Sequence, residues 1–173
     1  MRLSHPTPAV WAVVLLAAGF ASNVFLMCGS NVVAFSVVAA MTLGFRRGSL
    51  VALGIWLESQ VLGFTVFGYP HASTTVAWGL ALGAGSVLAA VIASACALRG
   101  RVLAFAAAFA AYELGLAAFA LAIGSGLSAF TPAIVGQLLV SNACLAVGLV
   151  VLHRLAAIAE SGVTNAFARA RHT

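Results

Sequence analysis

The chain has 173 residues, of which 64% are hydrophobic and 6% charged, and its formal net charge is +5. A soluble domain carries roughly 25% charged residues, so a chain with a mean hydropathy of +1.15 cannot cover its surface with water-facing side chains. The composition excludes a soluble globular domain and predicts one integral membrane domain. The arginines lie between or outside the apolar runs, which is typical of topology signals and not of nucleic-acid binding.

Six apolar runs follow one another along the chain, and each is long enough, or nearly so, to cross a bilayer as a helix. We predict an all-α, polytopic bundle of six transmembrane helices in residues 1–153 and a short cytoplasmic amphipathic tail in residues 154–173. The runs occupy residues 8–27, 31–45, 48–67, 75–98, 102–124 and 132–153. We interpret the first run as a helix and not as a signal peptide, because its removal would leave an odd number of spans.

Arginines mark every second connection between the runs. They precede the first run, join the second to the third and the fourth to the fifth, and follow the sixth: Arg2, Arg46, Arg47, Arg99, Arg101, Arg154, Arg169 and Arg171. The connections at 29–30, 68–74 and 125–131 contain no arginine. Because cytoplasmic loops carry the positive charge, this alternation predicts that both termini lie in the cytoplasm.

The sequence carries no pattern typical of a metal site, a cofactor site or an enzyme. Its three cysteines, Cys28, Cys96 and Cys144, lie in three different segments without CxxC spacing, which argues against a disulfide framework or a zinc site. The chain contains no lysine, so it can form neither a Schiff base nor a Walker-type phosphate loop. We expect no metal, no cofactor and no catalysis.

Two glutamates lie inside apolar runs, Glu58 in the third and Glu113 in the fifth. A charge at bilayer depth costs at least about 3 kcal/mol, so such groups face protein or a cavity. Amides accompany them, with Gln60 beside Glu58 and with Gln137 and Asn142 in the sixth run. Together they would form a polar site inside the bundle, or they would hydrogen-bond between helices and only fix the packing.

Small residues recur four apart in two runs, as Ala17 and Ala21 in the first and as Gly79 and Gly83 in the fourth. Such steps let helix backbones approach closely. They serve either packing inside the bundle or the docking of another membrane protein.

Six helices, cytoplasmic ends, a short chain and the Ala17–Ala21 step resemble the substrate-binding S components of energy-coupling factor vitamin transporters. The segment 43–49, Leu-Gly-Phe-Arg-Arg-Gly-Ser, with its following apolar run is similar to the junction of the second and third helices in that family. The resemblance implies a bacterial cytoplasmic (inner) membrane and a vitamin or vitamin precursor bound from the outer side. It also implies docking through Ala17 and Ala21 onto a coupling membrane subunit driven by two ATPases.

The resemblance implies a binding pocket formed by Glu58, Gln60, Tyr69, His71, Trp78, Glu113, Gln137 and Asn142. The chain departs from the cobalamin-binding branch, because residues 68–75 contain no cysteine. Carboxylates with aromatic side chains suit a cationic or amine-bearing ring such as thiamine or its pyrimidine precursor. Two alternatives remain: a ligand-free structural or assembly protein that acts through Gly79, Gly83 and Ala17, and a small stand-alone channel or carrier.

Overall fold

The computed structural model describes residues 7–26 and 31–170, with the side chains except those of Leu26 and of residues 160–170. This part of the chain forms six α-helices and no strand, which confirms the all-α prediction. The helices are α1 (Pro8–Leu26), α2 (Val32–Leu43), α3 (Phe45–Thr65), α4 (Ser73–Cys96), α5 (Arg101–Ala122) and α6 (Pro132–Ala170). Cys28, the connection at 29–30, Arg2 and Arg171 lie outside the described residues.

Helix α2 is the centre of the bundle. It contacts all five other helices, and every residue from Val32 to Ala40 is buried. Helix α2 carries apolar side chains all around its own axis, and a helix of that kind is stable only when other helices or lipid enclose it. Its 12 residues span about 18 Å, which is less than the hydrocarbon core of roughly 30 Å. Protein neighbours therefore take the place that lipid would have around it.

Helices that follow one another in the chain run antiparallel. Near the start of α1, the Trp11 indole N–H donates to Thr42 Oγ1 near the end of α2 at 2.8 Å. The same indole meets the His153 ring of α6, with 4.7 Å between the ring centroids. Trp78, near the start of α4, meets Phe119, near the end of α5.

Because the direction of the chain alternates from helix to helix, five of the described arginines come to one end of the bundle, here called the arginine end. The arginines at that end are Arg46, Arg47, Arg99, Arg101 and Arg154. The connections that follow α1, α3 and α5 lie at the opposite end, here called the arginine-free end. The helices therefore carry a strong charge asymmetry along their common axis.

Four of the described helices are long and apolar enough to cross a membrane, namely α1, α4, α5 and α6. Helix α2 is apolar but short. Helix α3 has 21 residues, and its hydropathy is lowered by the polar run Glu58-Ser59-Gln60. The structure thus supports a membrane protein by helix length and composition.

Helix α6 does not stop at residue 153, where the apolar run was predicted to end. It continues to Ala170, and its 39 residues extend for about 58 Å. Arg154 is followed by Leu-Ala-Ala-Ile-Ala, a sequence of mostly strong helix formers that carries the helix past the charge. The amphipathic character predicted for residues 154–173 involves side chains that lie largely outside the described part.

Candidate functional site

Trp56 and Gln60 of α3 pack directly over the glycines of α4. The Trp56 indole N–H donates to the carbonyl oxygen of Gly79 at 2.7 Å. A Cβ atom on Gly83 would lie 2.7 Å from the Trp56 ring, and one on Gly79 would overlap the Gln60 amide oxygen. The step from Gly79 to Gly83 therefore lets α3 and α4 approach closely inside the bundle. Of the two roles that the sequence left open for this step, the structure supports internal packing.

The polar run of α3 does not point in one direction, because successive helical residues are about 100° apart. Gln60 faces α4, and its Nε2 donates to Ser59 Oγ at 3.2 Å. Ser59 Oγ donates in turn to the backbone carbonyl of Trp56 at 2.6 Å. Gln60 and Ser59 therefore form hydrogen bonds with each other and with the backbone of α3. Glu58 lies on a different face of the helix.

Glu58 lies on the side of α3 that faces α1. Gly54 and Ile55 pack against α1, since a Cβ on Gly54 would lie 2.8 Å from Leu16 and one on Gly19 would lie 2.6 Å from Ile55. Residues three and four apart share a helix face, so Glu58 continues this surface. Its Oε2 atom is buried and has no hydrogen-bond partner among the described residues. It lies about 20 Å along α3 from the arginine end.

Glu113 is buried on α5, at a depth similar to that of Glu58. Its neighbour Tyr112 packs against Gly85 of α4, where a Cβ atom would lie 2.9 Å from the ring. Glu113 is about 100° further around α5, a helix that contacts α4 and α2. In the described part of the chain, α2 and α4 separate α3 from α5. The structure does not bring the two carboxylates together.

Tyr69 and His71 meet around Phe64 at the arginine-free end. The His71 ring stacks on Phe64 with 5.3 Å between the centroids, and the Tyr69 ring approaches Phe64 edge-on at 6.2 Å. The Tyr69 ring also covers Gly63, and its backbone N–H donates to the Gly63 carbonyl at 2.9 Å. Both His71 and Tyr69 are exposed. These two predicted pocket residues belong to one aromatic group above the end of α3.

Trp78 and Asn142 hold helices together. Trp78 lies edge-on to Phe119, with 5.1 Å between the centroids, and so packs α4 against α5. Asn142 is completely buried and accepts a hydrogen bond from the backbone N–H of Ala34 in α2 at 3.0 Å. Asn142 thus makes the interhelical contact that the sequence analysis had left as an alternative to ligand binding.

Gln137 and Asn142 do not share a face of α6. They are five residues apart, which corresponds to about 140° around a helix. Asn142 faces α2, whereas Gln137 is exposed on the surface of the bundle.

A group of polar side chains that the sequence analysis did not single out lies near the arginine-free end. Asn31 Nδ2 donates to Ser22 Oγ at 3.4 Å, and Ser141 Oγ donates to Asn31 Oδ1 at 3.5 Å. Asn23 Nδ2 donates to the backbone carbonyl of Ile55 at 3.4 Å. Both asparagines are buried. We call Ser22, Asn23, Asn31 and Ser141 the amide cluster.

One signal in the sequence points to this cluster. Asn23 interrupts the first apolar run, and an amide inside such a run needs a partner on another helix. Asn31 begins the second run, where it looks like an ordinary helix cap. Its side chain makes no capping bond and reaches α1 and α6 instead.

Ala17 and Ala21 lie toward the outer surface of α1. Ala17 is exposed and Ala21 half-buried, while Val13 and Phe20 beside them are 65% and 50% exposed. Within the described part of the chain, this face of α1 is turned away from the bundle.

Among the described residues, no group of three or more His, Cys, Asp or Glu side chains could hold a metal ion. Comparison with family models, curated proteins and solved structures gives no match. Fold and composition therefore define the class: an all-helical protein with helices suited to crossing a membrane.

Proposed function

We propose that this chain is a six-span protein of the bacterial cytoplasmic membrane and the substrate-binding subunit of a vitamin uptake system. In this proposal, as in the S components that the sequence resembles, a vitamin or vitamin precursor enters from outside. Both termini lie in the cytoplasm, and the arginine end faces the same side.

The charge asymmetry of the bundle supports this orientation. The five arginines of the arginine end lie together, and the positive-inside rule places such a cluster on the cytoplasmic side. Helix α3 counts as a span because its 21 residues extend for about 31 Å. Helix α2 is shorter, but it is enclosed by the other helices. In this proposal α2 and the turns at its ends together form the sixth span.

The buried Oε2 of Glu58 is the observation that carries the binding role. Buried polar atoms in native proteins almost always have a partner, and each exception needs an explanation. In a membrane the penalty for such an atom is greater, because no bulk water reaches it. A ligand that donates a hydrogen bond or carries a positive charge would supply the missing partner.

The exposed face of α1 supports a coupling partner. Ala17 and its apolar neighbours point away from the bundle, so a second membrane subunit, driven by two ATPases, could dock there. The alternative of a ligand-free assembly protein is weakened, because two of its three contact residues, Gly79 and Gly83, lie beneath Gln60 and Trp56.

The test is thermal unfolding of the detergent-purified protein with a panel of water-soluble vitamins and their precursors. We expect at least one compound to raise the unfolding temperature of the wild type. Glu58→Gln should abolish that shift, whereas Glu113→Gln, which changes a carboxylate on a different helix pair, should retain it. If no compound in the panel shifts the wild type, the proposed function is wrong.

A further inference from the structure

We infer that the amide cluster and Glu58 form one ligand site that recognises hydrogen-bond donors and cationic groups and excludes anions. This inference rests on the proposed function and specifies where the ligand binds and which class it belongs to. The site would lie between α1, α3, the beginning of α2 and Ser141 of α6, near the arginine-free end.

Asn23, which follows Ser22 in α1, reaches α3 one helical turn before Glu58. Its Nδ2 bonds to the carbonyl oxygen of Ile55, and Glu58 is three residues after Ile55 on the same face of α3. Residues with this spacing have Cβ atoms about 5–6 Å apart. The amide of Asn23 and the partnerless carboxylate oxygen of Glu58 thus belong to one stretch of the interface between α1 and α3.

The cluster has hydrogen-bonding capacity to spare. Its interhelical bonds are long, at 3.4, 3.4 and 3.5 Å, whereas strong N–H···O bonds in proteins are near 2.9–3.0 Å. An asparagine amide offers two N–H donors and an oxygen that accepts twice, and in the described structure Asn23 uses one donor. Weak internal bonds are readily exchanged for bonds to a ligand.

The charges around the site determine the class of ligand. In the proposed site Glu58 supplies a carboxylate, and the side chains of the amide cluster are neutral amides and hydroxyls. The nearest arginines on α3, Arg46 and Arg47, lie at the arginine end, about 17 Å away along the helix. A ligand carboxylate or phosphate would meet the Glu58 carboxylate with no compensating cation, and this repulsion opposes binding. An aminopyrimidine, amine or quaternary ring nitrogen meets acceptors instead.

The experiment measures binding to the full-length protein in detergent by its tryptophan fluorescence, with thiamine, an aminopyrimidine and pyridoxamine against biotin and pantothenate. We expect the donor-bearing compounds to bind and the two carboxylates to bind at least tenfold more weakly. Asn23→Leu should weaken binding by ten- to a hundredfold, and Val147→Leu, exposed on α6, should leave it unchanged. Preferred binding of biotin or pantothenate, or wild-type affinity in Asn23→Leu, would overturn the inference while leaving the proposed function in place.

A second measurement covers the case in which Asn23→Leu does not fold. In a background without the three native cysteines, Ser22→Cys and Ala133→Cys, the latter exposed at the start of α6, are labelled with a maleimide in the presence and absence of thiamine. We expect thiamine to slow labelling of Ser22→Cys at least fivefold and to leave Ala133→Cys unaffected. Equal labelling rates for Ser22→Cys with and without bound thiamine place the ligand elsewhere and refute the site.

Discussion

Asn142 of α6 caps the beginning of α2 at Ala34. Its Oδ1 accepts the Ala34 backbone N–H at 3.0 Å, and its Nδ2 donates to the Leu138 carbonyl at 2.9 Å. The first N–H groups of a helix have no partner within that helix, and Asn31 at the N-cap provides none. A single buried amide thus provides the partner for one of these N–H groups. It also joins α2 to α6 through residues 108 positions apart in the sequence.

Replacement of this amide should destabilise the bundle. In Asn142→Leu, the Ala34 N–H is left buried without a partner, which costs about 1–3 kcal/mol. We expect a lower unfolding temperature in detergent, measured by circular dichroism. Gln137→Leu, on the exposed side of the same helix, is the control and should unfold at the wild-type temperature. Equal stability of the two variants would show that Ala34 does not depend on Asn142.

A methyl group at Gly83 should separate α3 from α4. It would lie 2.7–3.0 Å from the Trp56 ring, closer than van der Waals contact allows. We expect Gly83→Ala to lose about 1–3 kcal/mol of stability, the usual cost of overpacking. The matched control is Gly148→Ala, because nothing lies within 4 Å of a Cβ at Gly148. The prediction fails if the two alanine variants unfold at the same temperature.

Glu58 should be dispensable for folding in the absence of ligand. Glu58→Leu removes a buried carboxylate oxygen that has no partner in the described structure, and so removes its desolvation penalty of about 1–3 kcal/mol. We expect an unchanged or higher unfolding temperature without ligand. Ser59→Ala is the comparison, since it loses a 2.6 Å hydrogen bond and should be slightly less stable than the wild type. A clear loss of stability in Glu58→Leu would contradict this view of Glu58.

The proposed orientation predicts which turns are reached from outside the cell. His71→Cys, at the arginine-free end, should react with a membrane-impermeant maleimide in intact cells that produce a cysteine-free background protein. Arg99→Cys, at the arginine end, should react only after the membrane is permeabilised. The reverse pattern of labelling would invert the topology.

The helices were predictable from the sequence because long apolar runs and their charged connections determine where a membrane helix begins and ends. The predicted run at 102–124 corresponds to α5 at Arg101–Ala122, for example. One exception is the start of α3, which begins at Phe45 and so contains Arg46 and Arg47, predicted to lie in the connection; the other is the end of α6. There Arg154 ended the apolar run but not the helix, since alanine and leucine favour helical backbone whatever charge precedes them.

The direction of each side chain was not predictable in the same way. Hydropathy does not fix the rotation of a helix, so Gln137 and Asn142 looked equivalent until packing set them on different sides of α6. Glu58 and Glu113 likewise lie at similar depth but on helices that α2 and α4 keep apart. Which neighbours face one another depends on long-range packing that a single sequence does not reveal.

The enclosure of α2 also affects how the chain is made. A segment of 12 residues falls short of the roughly 20 apolar residues that a membrane recognises as an independent span. Helix α2 would therefore insert together with α3 as a hairpin, turning at Gly44, whose φ of +78° suits a residue without a side chain. The side of α2 that packs against α6 is covered only after α6 has been synthesised and inserted. A nascent chain halted before α6 would present the bare flank of α2 to lipid and become a substrate for membrane quality control.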